Sequence, residues 1–190
     1  MKQSNNFIVP MIEALQQGKV VLYDTDTIPG LGCDARSETA IQLIISIKKR
    51  SLDKWLIVLV SDFGMLEGFW KKEHDYDSEY RMLKDLYETA TKPTTFVIPS
   101  LWLSPLLTKD GNSAIRIISP KHPLADIIRQ LGHPIVSTSA NISGEVSPHC
   151  MADVDESIKD VVPLYEFGIG TGSSSRLISL LGDDPVVLRE

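Results

Sequence analysis

Apolar positions near the start of the chain follow two patterns, helical spacing and short continuous runs. Residues 7–17 place apolar side chains at helical spacing and end at Gly18, which predicts a first helix. Residues 37–50 repeat this spacing, with Ser37 in the position of an N-cap. Residues 55–60, WLIVLV, form a continuous apolar run, which predicts a strand buried on both faces. This part of the chain therefore predicts helices alternating with buried strands.

The remainder of the chain predicts further helices and strands of one α/β domain. Helical patterns occupy residues 63–90, 122–132 and 151–160. Strand-forming runs occupy residues 19–26, 94–99, 113–118, 134–140, 162–167, 176–181 and 185–190. Helices and strands alternate early and strands cluster late, which is typical of an α/β fold with a mixed sheet. We expect a single domain over residues 1–190, with a twisted mixed sheet and flanking helices.

Composition and charge narrow the class of protein. The 190 residues are 43% hydrophobic and 23% charged, as in a globular protein with a sizeable core. The formal net charge of -6 argues against a general nucleic-acid coat but leaves room for a local basic site. Polar residues interrupt the N-terminal segment that would be a signal peptide, and no apolar run approaches the ~18 residues of a membrane helix. We therefore predict a soluble cytoplasmic protein that does not bind membranes.

The cysteines and the common site motifs give no evidence of a metal centre. Cys33 and Cys150 form neither a CxxC pair nor a disulfide framework, which indicates reduced thiols. His149 lies beside Cys150, but adjacent residues rarely ligate one ion together, so we predict no metal held by the protein. The sequence contains no GxxxxGK[ST], GxSxG or HExxH motif, and no GxGxxG that opens a helix.

A polar segment, DTDTIPGLG at residues 24–32, follows the apolar residues VVLY and overlaps the end of the first predicted strand. Open α/β sheets usually bind ligands at such strand ends. Thr25 and Thr27 offer hydroxyl groups, and the two glycines allow a ligand to approach the backbone closely. The alternative is a polar turn whose side chains cap their own backbone.

A cluster of four cations lies between the second helix and the WLIVLV strand. The C-terminus of a helix favours cations, which accounts for Lys48. Arg50 and Lys54 lie beyond the helix, in the loop before the strand, where the helix dipole no longer explains them. Several cations on one loop are typical of a triphosphate site, whereas Lys49 is interpreted as a solvated side chain.

A third segment, STSANISG at residues 137–144, follows another predicted strand. Ser137, Thr138, Ser139 and Asn141 are small, hydrogen-bonding and poor strand formers. They suit a cradle for phosphate oxygens, although a turn with purely local hydrogen bonds has the same composition. From these residues alone, the prediction stops at an anion- or nucleotide-binding protein.

Taken in order, these segments resemble the YrdC/Sua5 family of threonylcarbamoyl-AMP synthases. DTDTIPGLGCDA is similar to the family segment PTDTVYGLG, and IKKRSLDKWLIVLV to KxRP..KPLIVLV. TTFVIP resembles the TLIL strand, AIRII the VRxP strand, and STSANISGEVSP the TSANxSG signature. SSSRLISL followed by VVLRE resembles STVVD followed by ILRPG. The resemblance extends from about residue 8 to residue 190.

This resemblance implies a YrdC-like α/β twist fold with a large positive cavity. It also implies a nucleotidyltransferase that makes threonylcarbamoyl-AMP and pyrophosphate from L-threonine, bicarbonate or CO2, and ATP with Mg²⁺. In the family, a transferase partner passes the threonylcarbamoyl group to adenosine 37 of tRNA, the t6A modification. The chain ends after the match to ILRPG, so we expect the short form without the extra domain of the longer Sua5 proteins.

The resemblance also implies roles for individual residues. Lys48 and Arg50 match the KxR positions and are the expected catalytic residues. The expected ATP-binding residues are Lys48, Arg50, Lys54, Thr95, Ser139, Asn141 and Arg189. The expected threonine-binding residues are Thr27, Arg116 and Ser175.

The sequence departs from the family pattern at five positions. These departures are Asp24, Pro29, Trp55, Ile118 and Arg176. The residues expected at the phosphates are intact, whereas Asp24, Pro29 and Trp55 fall on or beside the expected threonine pocket.

Two other functions stay open at this stage. One is a non-catalytic relative that binds nucleotide or double-stranded RNA through the basic cavity, although the chain as a whole is acidic. The other is a carbamoyl-transfer module like the related domain of hydrogenase-maturation proteins, although the zinc and acylphosphatase segments of those longer chains are absent from this sequence.

Overall fold

The computed structural model describes residues 7–49, 55–69, 77–99, 104–168 and 170–190. The helices are α1 (Ile8–Gln16), α2 (Glu38–Ile47), α3 (Phe63–Phe69), α4 (Asp77–Thr89), α5 (Pro123–Leu131) and α6 (Glu156–Lys159). The strands are β1 (Val21–Tyr23), β2 (Gly30–Asp34), β3 (Ile57–Val60), β4 (Thr94–Pro99), β5 (Asn112–Ile117), β6 (Ile135–Ser139), β7 (Leu164–Tyr165), β8 (Arg176–Ser179) and β9 (Val186–Arg189). Short 3-10 turns occupy Pro105–Leu107 and Met151–Asp153.

In the described part of the chain, the strands form one mixed sheet in the order β7-β1-β2-β6-β3-β5-β4-β8-β9. The β1–β7, β3–β5 and β4–β8 pairs are parallel, and the other neighbouring pairs are antiparallel. This arrangement confirms the predicted mixed α/β fold. No helix among the described residues has the length and apolar character needed to cross a bilayer.

The helix boundaries agree with the capping signals in the sequence. Ser37 Oγ accepts a hydrogen bond from the Ala40 N–H at 3.3 Å, as an N-cap of α2 does. Pro123 is the first residue of α5, where its missing N–H costs nothing. Gly18 and Gly132 follow α1 and α5 with φ of 71° and 80°, the left-handed conformation that glycine adopts without strain.

One face of the sheet is shared between a hydrophobic core and a polar surface. Side chains two positions apart on a strand point to the same face. On β6, Ile135 packs in a core with residues of α1 and α5, whereas Ser137 and Ser139 on the same face line a cavity. The opposite face packs a separate core that includes Ile41 and Ile44 of α2. The helices α1 and α5 therefore cover only part of their face.

Two predicted segments differ from the structure. Residues 30–32 were predicted as part of a polar segment, but Gly30–Asp34 form β2, which pairs with both β1 and β6. Glycine is a poor strand former by itself, so this strand depends on its two neighbours. The predicted single helix over residues 151–160 is wrong, because a 3-10 turn ends before Val154 and α6 begins after Asp155, whose carboxylate caps it.

Gly32 allows β2 to lie against Tyr23 and β6. A Cβ added at Gly32 would lie 2.3 Å from the Val136 carbonyl oxygen and 2.4 Å from the Tyr23 hydroxyl oxygen. We expect Gly32→Ala to lower the free energy of unfolding by about 3 kcal/mol, as overpacking of a buried site does. Gly182→Ala is the matched control, because a Cβ there meets nothing within 4 Å. Urea denaturation of both variants measures the difference, and equal stabilities would contradict the prediction.

Candidate active site

A cavity of about 560 Å³ opens on the sheet face that carries Ser137 and Ser139. Side chains from β3, β5, β6 and β8 contribute to its floor, and the turn between β1 and β2 forms one wall. The volume falls within the range of about 300–1,000 Å³ that is usual for small-molecule sites. The cavity brings together segments that lie far apart in the sequence.

The turn between β1 and β2 presents a pair of buried threonine hydroxyls. Thr25 Oγ1 and Thr27 Oγ1 lie 2.7 Å apart, and Thr25 Oγ1 donates to the Ile28 carbonyl oxygen at 2.8 Å. The Thr27 N–H donates to Thr25 Oγ1 at 3.0 Å. The turn thus caps its own backbone, and both threonines also line the cavity.

Arg116 on β5 joins this turn to the cavity floor. Its Nη1 donates to Thr27 Oγ1 at 2.9 Å, and its Nη2 lies 3.2 Å from Asp26 Oδ1. The side chains of Arg116 and Asp26 are only 4% and 10% exposed, so each charge depends on the other for compensation. Arg116 was expected in the site from the sequence, but its pairing with Asp26 was not predicted. A buried arginine requires an anionic partner, but several carboxylates in the sequence could have supplied it.

Ser175 and Arg189 form a second polar group on the β8–β9 side. Ser175 Oγ lies 2.8 Å from Thr95 Oγ1, and Arg189 Nη2 donates to the Ser175 carbonyl oxygen at 2.9 Å. Thr95 is fully buried behind Ser175, which itself lines the cavity. Burial, and then the nearby charge of Arg116, lowers the pKa of Arg189. Two cations in this position favour an anionic ligand group.

Lys48 lies immediately after α2 with its side chain 1% exposed. Its Nζ donates to the carbonyl oxygens of Ser139 and Asn141, the latter at 2.6 Å, and to Asn141 Oδ1 at 3.2 Å. The Lys48 carbonyl oxygen accepts from the Ser143 N–H at 2.8 Å. The Lys48 side chain therefore reaches into the turn of the STSANISG segment and stabilises the backbone of that segment.

The STSANISG segment ends β6 and turns at the cavity. Ser139 Oγ donates to Asn141 Oδ1 at 2.6 Å, and Asn141 Nδ2 donates to the Glu145 carbonyl oxygen at 2.7 Å. Ser139, Asn141 and Ser143 all line the cavity. Hydroxyl groups and turning backbone of this kind can hold phosphate oxygens.

The charge of the described lining is predominantly positive. Lys48, Arg116 and Arg189 supply cations, and Glu145 is the carboxylate among the described lining residues. Arg50 and Lys54, which the sequence predicts to bind ATP, lie outside the described residues. Within the described residues, no group of three or more histidine, cysteine or acidic side chains could hold a metal ion.

The five departures from the family pattern occupy different surroundings. Pro29 and Trp55 line the cavity, and Lys109 Nζ lies 5.3 Å from the centroid of the Trp55 ring. Ile118 is fully buried in the core. Arg176 forms an ion pair with Glu190 at 3.2 Å. Asp24 accepts hydrogen bonds from the backbone N–H groups of Phe167 and Gly168.

Comparison with known proteins relates this chain to a family that includes enzymes. The family model Sua5/YciO/YrdC, described as telomere recombination, matches residues 13–190. The threonylcarbamoyl-AMP synthase of Serratia proteamaculans is 33% identical over 171 residues, which cover 88% of this chain and 88% of that protein.

Solved structures share the fold. P. abyssi Sua5 complexed with L-threonine has a TM-score of 0.76 and 29% identity, with 96% of this chain and 53% of that chain covered. This chain thus spans about half the length of the P. abyssi protein. E. coli YciO has a TM-score of 0.68 and 24% identity, with 97% of this chain and 89% of that chain covered. The family model, the curated relative and the fold agree, and the chain belongs to the Sua5/YciO/YrdC family.

Proposed function

We propose that this protein is an L-threonylcarbamoyladenylate synthase. Its reaction would form threonylcarbamoyl-AMP and pyrophosphate from L-threonine, bicarbonate or CO2, and ATP. The observation that carries this proposal is one cavity that joins three polar groups: the β1–β2 turn with Arg116, the pair Ser175 and Arg189, and the STSANISG turn. The curated relative named threonylcarbamoyl-AMP synthase and the Sua5 structure with L-threonine support the same conclusion.

We propose that the polar residues of the cavity divide between the two larger substrates. We assign Thr27, Arg116 and Ser175 to threonine, because a buried guanidinium and adjacent hydroxyl groups suit a carboxylate and an alcohol. We assign Lys48, Ser139, Asn141 and Arg189 to the nucleotide, with Thr95 supporting Ser175 from beneath. Arg50 and Lys54 are proposed to join the nucleotide group. Magnesium would enter with the substrate as MgATP.

The chemistry requires two anions to meet. The neutral amine of threonine adds to CO2 and releases a proton to the solvent, and an oxygen of the resulting carbamate attacks the α-phosphorus of ATP. A new P–O bond forms while the bond to pyrophosphate breaks. Cations placed around the cavity offset the repulsion and stabilise the departing pyrophosphate. Holding the carbamate in line with the phosphorus lowers the barrier further, so the mechanism needs no single general base.

Pyrophosphate release tests this proposal directly. The purified protein is incubated with MgATP, and pyrophosphate is measured with threonine and bicarbonate together and with each omitted. We expect release only when both are present. Release that ignores threonine would contradict the proposal and favour a nucleotide-binding or carbamoyl-transfer relative. No release at all, together with tight binding of double-stranded RNA, would favour the non-catalytic alternative.

Arg50 offers a separate test of the basic loop. We expect Arg50→Ala to lower kcat/KM for ATP by about 100-fold, because a planar guanidinium at a phosphate is hard to replace. The thermal midpoint of unfolding is expected to stay within about 2 °C, because the sequence predicts Arg50 in a polar loop. A variant with full turnover would show that the loop does not bind the triphosphate.

The product is proposed to pass to a threonylcarbamoyl transferase that modifies adenosine 37 of tRNA. The contact with that partner is proposed to be transient, and tRNA itself could bind near the cavity. The single sheet supports our expectation that residues 1–190 form one domain, and we propose that the protein acts in the cytoplasm.

A further inference from the structure

Asp24 joins the end of β1 to a segment that follows β7. One oxygen of its carboxylate, Oδ2, accepts hydrogen bonds from the backbone N–H groups of Phe167 and Gly168, each at 2.9 Å. Hydrogen bonds from backbone N–H groups to a carboxylate are among the stronger ones in proteins. Phe167 is buried and packs edge-on against His122, with 5.7 Å between the ring centroids. Asp24 therefore anchors the beginning of the segment to a fixed part of the fold.

This segment, residues 167–175 apart from residue 169, is called the Gly/Ser segment. It runs against the turn that carries the threonine hydroxyls. The Gly172 N–H donates to the Thr27 carbonyl oxygen at 2.9 Å, and the Thr171 N–H donates to the Asp26 carbonyl oxygen at 3.3 Å. A Cβ added at Gly170 would lie 2.8 Å from the Thr27 carbonyl oxygen. The segment and the turn thus lie in direct backbone contact.

The Gly/Ser segment then reaches the cavity. Ser174 and Ser175 at its end line the cavity, and Ser175 carries the hydroxyl bonded to Thr95. On the other side, Thr27 carries the hydroxyl that accepts from Arg116. A change in the position of the segment would therefore move both the turn and the wall beside Ser174.

We propose that Asp24 is a positioning residue for the amino-acid side of the cavity. Its carboxylate holds the Gly/Ser segment against the β1–β2 turn and so sets the distance between the Thr27 and Ser175 groups. This inference rests on the proposed function for the identity of the substrate, but the hold of Asp24 on the segment does not depend on it. Asp24 is not a catalytic residue, because it acts through the segment.

Two measurements on Asp24→Ala test the proposal. Amide hydrogen exchange at Gly168 and Gly172 is expected to accelerate by about tenfold or more. The Gly168 N–H loses its acceptor, Asp24 Oδ2, and the hydrogen bond from the Gly172 N–H to the Thr27 carbonyl oxygen is weakened. The KM for threonine is expected to rise about tenfold, and by more than the KM for ATP, because Thr27 and Ser175 are both assigned to threonine whereas only Arg189 links the segment to the nucleotide residues. Asp24→Asn keeps an oxygen that can accept both hydrogen bonds, so its KM for threonine is expected to stay within about threefold of wild type.

A second variant and a control complete the design. Gly170→Ala pushes the segment away from the turn without touching Asp24, so the same rise in the threonine KM is expected. Asp155→Ala is the matched control, because Asp155 Oδ1 also accepts a backbone N–H, from Ser157 at 2.8 Å, but caps α6 and does not line the cavity. We expect its threonine KM to be unchanged.

The outcomes separate this proposal from the proposed function. Unchanged amide exchange in Asp24→Ala would show that Asp24 does not hold the Gly/Ser segment. Faster exchange with an unchanged threonine KM would show that Asp24 holds the segment but does not position the threonine-binding residues. Wild-type protein without threonine-dependent pyrophosphate release would overturn the proposed function, while the exchange rates would still decide whether Asp24 holds the segment.

Discussion

Replacing Arg116 by methionine is expected to abolish threonine-dependent pyrophosphate release, with kcat/KM lower by about 1,000-fold or more. Methionine fills most of the space but offers no donor to Thr27 and no charge to the substrate. The change also leaves the carboxylate of Asp26, 10% exposed, without its cation 3.2 Å away. We expect the free energy of unfolding to fall by about 3 kcal/mol, which is the usual cost of breaking a buried ion pair. Steady-state kinetics and urea denaturation measure the two effects.

A double variant separates binding from folding at this ion pair. Arg116→Met with Asp26→Asn removes both charges, so most of the lost stability is expected to return. Activity is expected to stay absent, because the guanidinium that we propose to bind threonine is still missing. Recovery of turnover in the double variant would show that Arg116 acts only as a structural partner of Asp26. Such a result would also contradict the proposal that this part of the cavity binds threonine.

Replacing Lys48 by methionine is expected to lower kcat/KM for ATP by about 1,000-fold. The STSANISG turn loses the hydrogen bonds from the ammonium group, and the cavity loses a cation. The two side chains have similar length, so the main change is the loss of the ammonium group. Its acceptors on Ser139 and Asn141 then lose a charged donor. We expect a fall of about 2 kcal/mol in the free energy of unfolding, since buried acceptors are costly to leave without partners.

Lys49 provides the matched control for Lys48. It is the next residue in the chain and carries the same side chain, but it is exposed. We expect Lys49→Met to keep its kcat/KM for ATP within about twofold of wild type, as is usual for a solvated surface charge. Equal losses in the two variants would indicate a general electrostatic effect of the basic loop. Full activity of Lys48→Met would show that the STSANISG turn forms without the ammonium group.

The local signals in the sequence predicted most helices because they act within one turn of the chain. Ser37, Pro123 and Gly132 each mark a helix end through contacts with residues at most four positions away. The strand at residues 94–99 was predicted at its observed bounds from a continuous apolar and β-branched run. In contrast, β2 was not predicted, because its glycines gain strand geometry only from β1 and β6.

The order of the motifs alone indicated the family, and the family comparison confirmed it. The sequence also indicated which hydroxyl, amide and cationic side chains belong to the motifs. What it left open was whether each polar segment bonds only to itself or also lines a cavity. The structure shows that the β1–β2 turn does both, because Thr25 bonds within the turn while it also lines the cavity.

The sequence by itself therefore determined most of the helices and strands, the motif residues and the membership in a family. The tertiary structure decided the partners: Arg116 with Thr27 across 89 positions, Lys48 with Ser139 across 91, and Asp24 with Gly168 across 144. The physical reason is that a local pattern specifies which face of an element is buried, whereas the order of strands in the sheet specifies which distant side chains meet. The positions of charge in this cavity follow from that order.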